Sequence, residues 1–312
     1  MPMGRESTLA LGLAACLVAA FGVPGTALGT DGDAASDETR AALLEPDAAG
    51  PVGAATGDWV LDWGDEFDGP AGTAPDPETW GFDLGDGSAK GLTGWGNSEL
   101  EWYTDDPANV GLDGEGHLVI TVREADGSLE CYYGPCLYTS ARLLSQDRFE
   151  FQHGYLEARI RVPSGAGLWP AFWLLGSNID EVTWPTSGEI DVMEYVGRLP
   201  NEVLGTVHGP GYSGGAGLSG RTDLGEPVAD AFHTFALEWE PGRLAWYLDG
   251  SLYHEVTREQ VGAHEWVFEQ PFFMLLNVAV GGTLGGLVFP DTAFPAEMLV
   301  DYVRLYRPGA AT

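Results

Sequence analysis

The chain has 312 residues and a formal net charge of −33, from 47 acidic and 14 basic side chains. Such a surface repels nucleic acids and anionic membranes, so neither is expected as a partner and a neutral ligand is favoured. The 45 glycines, 20 prolines and 11 tryptophans, with few helical patterns, indicate one large, turn-rich all-β domain.

The first 56 residues carry targeting and linker signals. Met1–Gly29 combines Arg5, an apolar run and a small-residue cleavage site, which is typical of a secretory signal peptide. We therefore expect a secreted, extracellular protein with no membrane association after cleavage, although Leu13–Cys16 also resembles a lipoprotein box. Residues 30–56 are rich in Ala, Asp, Gly and Pro and predict a disordered acidic linker or propeptide. The folded domain is expected to cover residues 57–308.

Two local features precede the main strands. Gly94–Thr104 is predicted to be a loop, and it combines aromatic rings with polar side chains suited to binding hydroxyl groups. Cys131 and Cys136 are the cysteines that remain after processing. A Gly-Pro turn between them brings the two ends together, so in an exported protein we expect a disulfide that acts as a local clamp.

Several segments alternate apolar and polar residues with period two, which predicts antiparallel strands. In residues 154–162, for example, Leu156, Ala158, Ile160 and Val162 share the face expected on the core. The predicted strands are His117–Arg123, Gly154–Val162, Thr234–Trp239, Leu244–Leu248, Phe272–Val280 and Leu299–Tyr306. The one helical candidate is a brief turn near Thr257–Val261. Many short strands separated by turns predict a sandwich or jelly roll.

Tryptophans follow a strand pattern in residues 167–174. Trp169 and Trp173 fall on one face, and Phe172 and Leu174 fall on the other, where they suit the core. Indoles that face a cleft can stack on the apolar faces of sugar rings. The alternative is that both indoles simply belong to the core. Trp184, in the loop before the acidic segment, adds a third aromatic ring.

Gly188–Tyr195 places three carboxylates within six residues. In a regular strand Glu189 and Asp191 share one face and Glu194 lies on the other, but a β-bulge around Val192-Met193 would return Glu194 to the face of the first two. Carboxyl groups about 5–6 Å apart suit a retaining glycosidase, and ~6.5–9.5 Å suits an inverting one. Both remain open here, as do a solvated acidic strand and a calcium site. The motifs of serine and zinc hydrolases are missing from the sequence.

Seven ordered blocks closely resemble glycoside hydrolase family 16, and specifically its bacterial endo-β-1,3-glucanases. They are Trp95–Glu99, Tyr138–Arg142, Leu168–Trp173, Gly188–Tyr195, Thr206–Tyr212, Leu276–Gly282 and Val300–Arg304. The resemblance implies a bent β-jelly-roll sandwich of two antiparallel sheets, with an open substrate groove on the concave face. It also implies a catalytic domain that cleaves β-1,3-glucosidic linkages of a laminarin-like β-glucan.

The resemblance also implies roles for the acids. Glu189 would be the nucleophile, Glu194 the general acid/base, and Asp191 a neighbour that hydrogen-bonds the nucleophile. The reaction would be a double displacement that needs no cofactor. The residues implied to line the substrate subsites are Asn97, Glu99, Arg142, Trp169, Trp173, Trp184 and His208, with Asn277 a weaker candidate.

Several of these residues have a purely structural alternative. Arg142 could only pair with an acid of the cleft, His208 could only order a loop, and Glu99 could only brace Asn97. Relatives often hold a structural calcium ion on the convex face, and Glu66, Gly116 and Asp301 match those positions, largely through backbone oxygens. The alternative for Asp301 is an exposed strand acid.

Three other functions share the same fold. A galactan (agar or carrageenan) hydrolase would need basic side chains for sulfate, of which this chain has few. A transglycosylase differs only in its acceptor. A non-catalytic β-glucan-binding relative would lack the catalytic acids, and both Glu189 and Glu194 are present. The chain is expected to be a monomer.

Overall fold

The structure is a computed structural model that describes residues 59–309. The predicted signal peptide, the predicted linker and the Cys16 alternative lie outside the described residues. The strands are β1 (Trp59–Asp65), β2 (Gly81–Asp83), β3 (Glu101–Tyr103), β4 (Val110–Leu112), β5 (Leu118–Glu124), β6 (Glu130–Cys131), β7 (Gly134–Pro135), β8 (Tyr138–Ser140), β9 (Arg142–Leu144), β10 (Glu150–Phe151), β11 (Gly154–Arg161), β12 (Leu168–Gly176), β13 (Glu189–Tyr195), β14 (Glu202–His208), β15 (Leu218–Asp223), β16 (His233–Glu240), β17 (Arg243–Leu248), β18 (Ser251–Thr257), β19 (Phe272–Val280) and β20 (Ala296–Pro308).

In the part of the chain that the structure describes, helical structure is confined to single turns. This part has two short α-helices, α1 (Ile179–Val182) and α2 (Gly282–Gly285), and 3-10 turns at Ser88–Lys90, Thr93–Gly96, Gly214–Ala216, Val228–Asp230 and Arg258–Val261. The sequence predicted only the last of these turns. Its start is fixed by a capping box between Thr257 and Gln260. Within residues 59–309, every helix is too short and too polar to cross a bilayer.

Eighteen of the strands form two large sheets, and β6 and β7 pair with each other in a separate hairpin. The first sheet has ten strands, in the order β18-β17-β16-β11-β20-β5-β8-β3, with β1 on β20 and β4 on β5. The second has eight strands, in the order β15-β14-β13-β12-β19-β9-β2, with β10 on β19. Neighbours are antiparallel except β3 and β8, which run parallel. The jelly-roll sandwich predicted from the sequence is thereby confirmed.

The main core lies between the two sheets. On β11, the side chains of Leu156, Ala158 and Ile160 belong to it, as the alternation predicted. The opposite face of β11 differs from a solvated face, because Tyr155 is fully buried there in a second cluster with Tyr247 and Tyr306. Tyrosines on β17 and β20 pack with Tyr155 across this face, so large rings shield it from water although the strand pattern looks amphipathic.

The segment predicted as one loop, Gly94–Thr104, contains the strand β3. Glu101 and Tyr103 are buried and Trp102 between them is partly exposed, as in a strand. Tyr103 also forms an isolated bridge with Gly85, just after β2. Because β3 pairs with β8 of the first sheet, it joins the edges of the two sheets, which short sequence periodicity could not reveal.

Candidate active site

A β-bulge in β13 places the three acids on one face of the second sheet. On β12, Trp173 pairs with Asp191 and the preceding Phe172 pairs with Met193, so β13 carries one extra residue at Val192. The side chains of Val192 and Met193 both enter the main core. Two consecutive inward side chains restore the alternation, and Glu194 therefore returns to the face of Glu189 and Asp191.

The pairing arranges the outer face of this sheet in rows perpendicular to the strands. Side chains of paired residues point to the same side, so each row reads as a line across the face. The row of Glu194 runs through Leu204, Glu194, Ala171, Asn277, Arg142 and Asp83. The row of Asp191 lies next to it and contains Thr206, Asp191 and Trp173. Glu189 pairs with His208 one row further on.

Each acid has an indole or imidazole partner. Trp184 Nε1 donates to Glu189 Oε2 at 2.6 Å, and Trp169 Nε1 donates to Glu194 Oε1 at 3.1 Å. His208 Nε2 lies 3.2 Å from Asp191 Oδ2 and 4.0 Å from Glu189 Oε1. Three of the residues predicted to line the subsites, Trp169, Trp184 and His208, therefore contact the carboxylates.

The pKa of every acid in this group is raised. Burial, followed by the neighbouring Asp191, raises the pKa of Glu189 to about 8. Burial, followed by the charge of Glu189, raises the pKa of Glu194 to about 7. Burial, with the charge of Glu194 next, holds the pKa of Asp191 well above its usual range. Three carboxylates this close cannot all ionise at neutral pH, so the group retains and shares protons.

A buried hydrogen-bond chain connects Trp173 to Asn97. Trp173 Nε1 donates to Asn277 Oδ1 at 2.8 Å, and Asn277 Nδ2 donates to the hydroxyl of Tyr103 at 3.1 Å. That hydroxyl donates to Glu99 Oε2 at 3.3 Å, and Asn97 Nδ2 donates to Glu99 Oε1 at 3.0 Å. Glu99 does brace Asn97, and the same carboxylate also holds the chain that orients Trp173.

Arg142 lies between two indole rings. Its guanidinium carbon is 4.5 Å from the Trp95 ring centroid and 4.8 Å from that of Trp173. Its Nε lies 3.1 Å from Asp83 Oδ2. Lys90 also contacts Asp83. Arg142 thus pairs with an acid of the cleft, which agrees with its structural alternative. Its planar guanidinium also packs against two indole rings at the Asp83 end of the row that contains Glu194.

Tyr103 and Asp83 are parts of this site that were not predicted from the sequence. Tyr103 lies in the aromatic segment already noted, two residues after Glu101, and strand alternation could have placed it beside Glu99. Asp83 carries no local signal, because its role depends on β2 pairing with β9.

Glu189, Asp191 and His208 could also hold a metal ion, since one ligand atom from each lies within 4.8 Å of the others. Carboxylate and imidazole ligands suit a divalent transition metal. The same atoms form the acid group, so a cation bound there would displace the protons that the group shares.

The residues matched to the structural calcium ion lie together at the edge of β20. β5 pairs with this edge as far as Val300, and β1 pairs with it from Val303 onwards, which leaves Asp301–Tyr302 between them. Glu66 follows β1 and Gly116 precedes β5, so both flank this gap. Their backbone oxygens and the Asp301 carboxylate are the oxygen ligands that Ca²⁺ prefers.

The carboxylates at this gap already have arginine partners. Arg159 contacts Asp301, and Arg304 binds both oxygens of Glu66 at 2.7 Å. Glu66 would therefore offer only its backbone oxygen, and Asp301 would have to exchange Arg159 for the ion. On this donor set we propose Ca²⁺ as the ion for the gap.

A jelly roll with paired glutamates and flanking indoles on one sheet face defines a carbohydrate-active enzyme of the glycoside hydrolase type. A family model described as "Glycosyl hydrolases family 16" matches residues 96–304. The chain therefore belongs to glycosyl hydrolase family 16 and is a glycoside hydrolase.

Individual relatives agree with this assignment. A β-glucanase of Rhodothermus marinus is 41% identical over 258 residues, which is 80% of this chain and 85% of the relative. The structure is similar to an endo-β-1,3-glucanase of Pyrococcus furiosus, with 47% identity, a TM-score of 0.77 and coverage of 82% of this chain and 97% of that one. The laminarinase catalytic domain of Thermotoga maritima is 45% identical, with a TM-score of 0.76 and coverage of 81% and 99%.

Proposed function

We propose that this protein is a secreted endo-acting β-1,3-glucanase that cleaves laminarin-like β-glucan with retention of configuration. The observation that carries the proposal is the bulged strand that turns Glu189 and Glu194 to the same face, each with an indole N–H on its carboxylate. The names of the similar proteins support a β-1,3-glucan as the substrate. The Met1–Gly29 pattern supports export.

In the proposed mechanism Glu189 is the nucleophile. Trp184 Nε1 and His208 Nε2 face this carboxyl, and both stabilise its ionised form. Glu194 is the general acid: when Glu189 is ionised, its charge adds to burial in raising the pKa of Glu194, which therefore keeps the proton that it donates to the leaving oxygen. Asp191 lies between Glu189 and Glu194 and shares a proton with them. It can hold or release this proton as the charges of the two glutamates change during the two steps.

The first step forms a covalent bond from Glu189 to the anomeric carbon while the glycosidic C–O bond breaks and Glu194 transfers its proton to the departing oxygen. In the second step Glu194, now ionised, removes a proton from water as the water oxygen displaces Glu189 from the anomeric carbon. Both displacements invert the centre, so the product keeps the β configuration.

A neutral glucan suits the surroundings of these acids better than a sulfated galactan. Within the site the cationic Arg142 and Lys90 both contact Asp83, so neither charge is free for a sulfate group. The indoles of Trp169, Trp173 and Trp184 offer apolar faces to sugar rings instead.

The first test measures reducing-sugar release from laminarin, with lichenan and agarose as comparison substrates. Replacement of either acid, Glu189→Gln or Glu194→Gln, should lower kcat by roughly 10³-fold or more. Early product sampled by NMR should be the β anomer. If the folded wild-type chain does not cleave laminarin, laminarin is refuted as its substrate. Cleavage of agarose alone would identify the protein as a galactan hydrolase.

The two roles can be separated with azide as an external nucleophile. A Glu189→Gly variant should be rescued with formation of the α-glycosyl azide, because azide then replaces the missing nucleophile. A Glu194→Ala variant should instead give the β-glycosyl azide, since azide attacks the intermediate on Glu189. The reverse pairing of products would exchange the two roles.

Addition of an oligosaccharide acceptor distinguishes hydrolysis from transglycosylation. A hydrolase should release the same reducing ends with or without the acceptor. Products longer than the donor, formed in proportion to the acceptor, would indicate a transglycosylase.

A further inference from the structure

A cavity lies beside the β6–β7 hairpin, apart from the catalytic acids. It has a volume of about 390 Å³, and we call it the hairpin pocket. The lining residues that matter below are Leu84, Asp86, Ser88, Trp102, Glu130 and Tyr132. The mechanism proposed above uses none of them.

Two aromatic rings form the walls of the hairpin pocket. Trp102 alternates with the buried Glu101 and Tyr103, so its indole points away from the hydrogen-bond chain of the groove. The indole packs against Gly85, where an added Cβ would lie 3.7 Å from the ring. Tyr132 is 40% exposed on the hairpin. Aromatic rings on the wall of an open cavity suit stacking on a sugar.

The walls of the hairpin pocket are held in place before any ligand binds. Asp86 accepts hydrogen bonds from the backbone N–H groups of Ser88 at 3.0 Å and Tyr132 at 2.7 Å, so it ties the loop to the hairpin. The structure joins Cys131 and Cys136 in a disulfide across the hairpin. A rigid pocket loses little conformational entropy on binding.

The chemistry of the hairpin pocket favours a neutral polyhydroxylated ligand. The Ser88 hydroxyl and the Glu130 carboxylate are exposed hydrogen-bonding groups at the pocket. Both its charged residues, Asp86 and Glu130, are acidic, in a chain with a net charge of −33, so anionic ligands are disfavoured. Carboxylates accept hydrogen bonds from sugar hydroxyls, and rings cover the apolar sugar faces.

The hairpin pocket also lies next to the end of the catalytic face. Asp83 ends the row that contains Glu194, and Lys90 contacts Asp83. The loop between these two residues contributes Leu84, Gly85, Asp86, Ser88 and Ala89 to the lining of the hairpin pocket. A polysaccharide that extended beyond Asp83 would therefore reach this loop and the pocket that it lines.

We propose that the hairpin pocket is a second carbohydrate-binding site, which holds a distant part of the β-1,3-glucan chain on Trp102 and Tyr132. The inference rests on the proposed substrate. It predicts that the pocket increases affinity for long or insoluble glucan, while short oligosaccharides that fill only the catalytic face do not use it.

The test compares binding with turnover in the full chain. In a Glu189→Gln background, Trp102→Ala and Tyr132→Ala should weaken adsorption to insoluble β-1,3-glucan by roughly 5-fold or more, as expected for aromatic contact residues. Trp102→Phe, which keeps a ring, should recover most of the affinity. Leu252→Ala is the matched control, because this side chain is 53% exposed on β18, at the opposite end of the first sheet from β3. Thermal unfolding verifies that each variant is folded.

Measurements of hydrolysis test the second binding site separately from the proposed glucanase activity. With Glu189 intact, Trp102→Ala should hydrolyse laminarihexaose with unchanged kcat/KM. Equal adsorption of Trp102→Ala and Leu252→Ala would overturn the second site even if the enzyme cleaves laminarin. If the wild-type chain adsorbs but does not cleave, loss of adsorption in Trp102→Ala would keep the site and refute the hydrolase. A wild-type chain that neither adsorbs nor cleaves would refute both.

Discussion

Trp173 and Asn277 are joined by a 2.8 Å hydrogen bond from the indole Nε1 to the amide Oδ1, although 104 residues separate them in the chain. The same amide donates to Tyr103 and so fixes the indole to Glu99 and Asn97. The orientation of this indole is therefore set by a buried polar chain and not by apolar packing alone. Such a chain is stable only while all its members are satisfied.

Replacing Asn277 by Ala should break this chain at its centre. The buried Trp173 N–H and Tyr103 hydroxyl would each lose a partner, at a cost of about 1–3 kcal/mol per group. We expect a loss of roughly 2–4 kcal/mol in the free energy of unfolding and a higher KM for laminari-oligosaccharides. Tyr103→Phe is the milder comparison, since it removes one hydroxyl and should cost ~1–2 kcal/mol. Urea titration and steady-state kinetics are the measurements, and an unchanged KM in Asn277→Ala would contradict the orienting role.

Deletion of Val192 should preserve the acid face. Without this residue Glu189, Asp191 and the final glutamate alternate regularly, and both neighbouring strands keep their register. We expect a stability loss of about 1–4 kcal/mol from the missing core side chain. Laminarin hydrolysis should persist within roughly 100-fold of wild type, the loss that a small misplacement causes.

A double deletion is the control for this experiment. Removing Val192 and Met193 together moves the final glutamate to the core side of β13. Activity should then fall by about 10³-fold or more, as for loss of a general acid. Equal activity in the single and double deletions would show that strand alternation does not decide the site.

Replacement of His208 should shift the pH dependence of catalysis. The charge of His208 lowers the pKa of both Glu189 and Glu194, acting against burial. In His208→Gln both pKa values rise, so Glu189 ionises at higher pH and Glu194 keeps its proton to higher pH. We expect both limbs of the kcat/KM profile to move upward by about 0.5–1 pH unit. An unchanged profile with reduced kcat would mean that His208 acts only by contact.

Calcium should stabilise the fold through Asp301 and not through the Glu66 side chain. Added Ca²⁺ should raise the unfolding temperature of chelator-treated protein, with a shift that grows with ion concentration. Asp301→Asn should weaken this response, because a charged ligand is lost. In Glu66→Gln the backbone oxygen remains, so the response should persist even though the pairing with Arg304 changes. Mg²⁺ is the control ion, and equal shifts for both ions would exclude a specific calcium site.

The sequence by itself determined the strand faces and the position of the bulge. Period two requires one extra residue before Glu194 if three acids are to share a face while Ile190, Val192 and Met193 remain buried, and the structure has the extra residue at that position. The alternation in residues 168–174 likewise assigned Phe172 and Leu174 to the core and left Trp169 and Trp173 on the other face. These features depend on local geometry, which neighbouring residues encode.

Only the tertiary structure decided which side chains meet. Asn277 and Tyr103 lie 174 residues apart, and their hydrogen bond exists because β3 joins the two sheet edges. The same holds for Asp83 beside Arg142, which depends on the pairing of β2 with β9. Burial of Tyr155 on the outer face of β11 depends on tyrosines from other strands. Contacts of this kind follow from strand order and register, and the free energy that selects them is summed over the whole core, so no single segment encodes them.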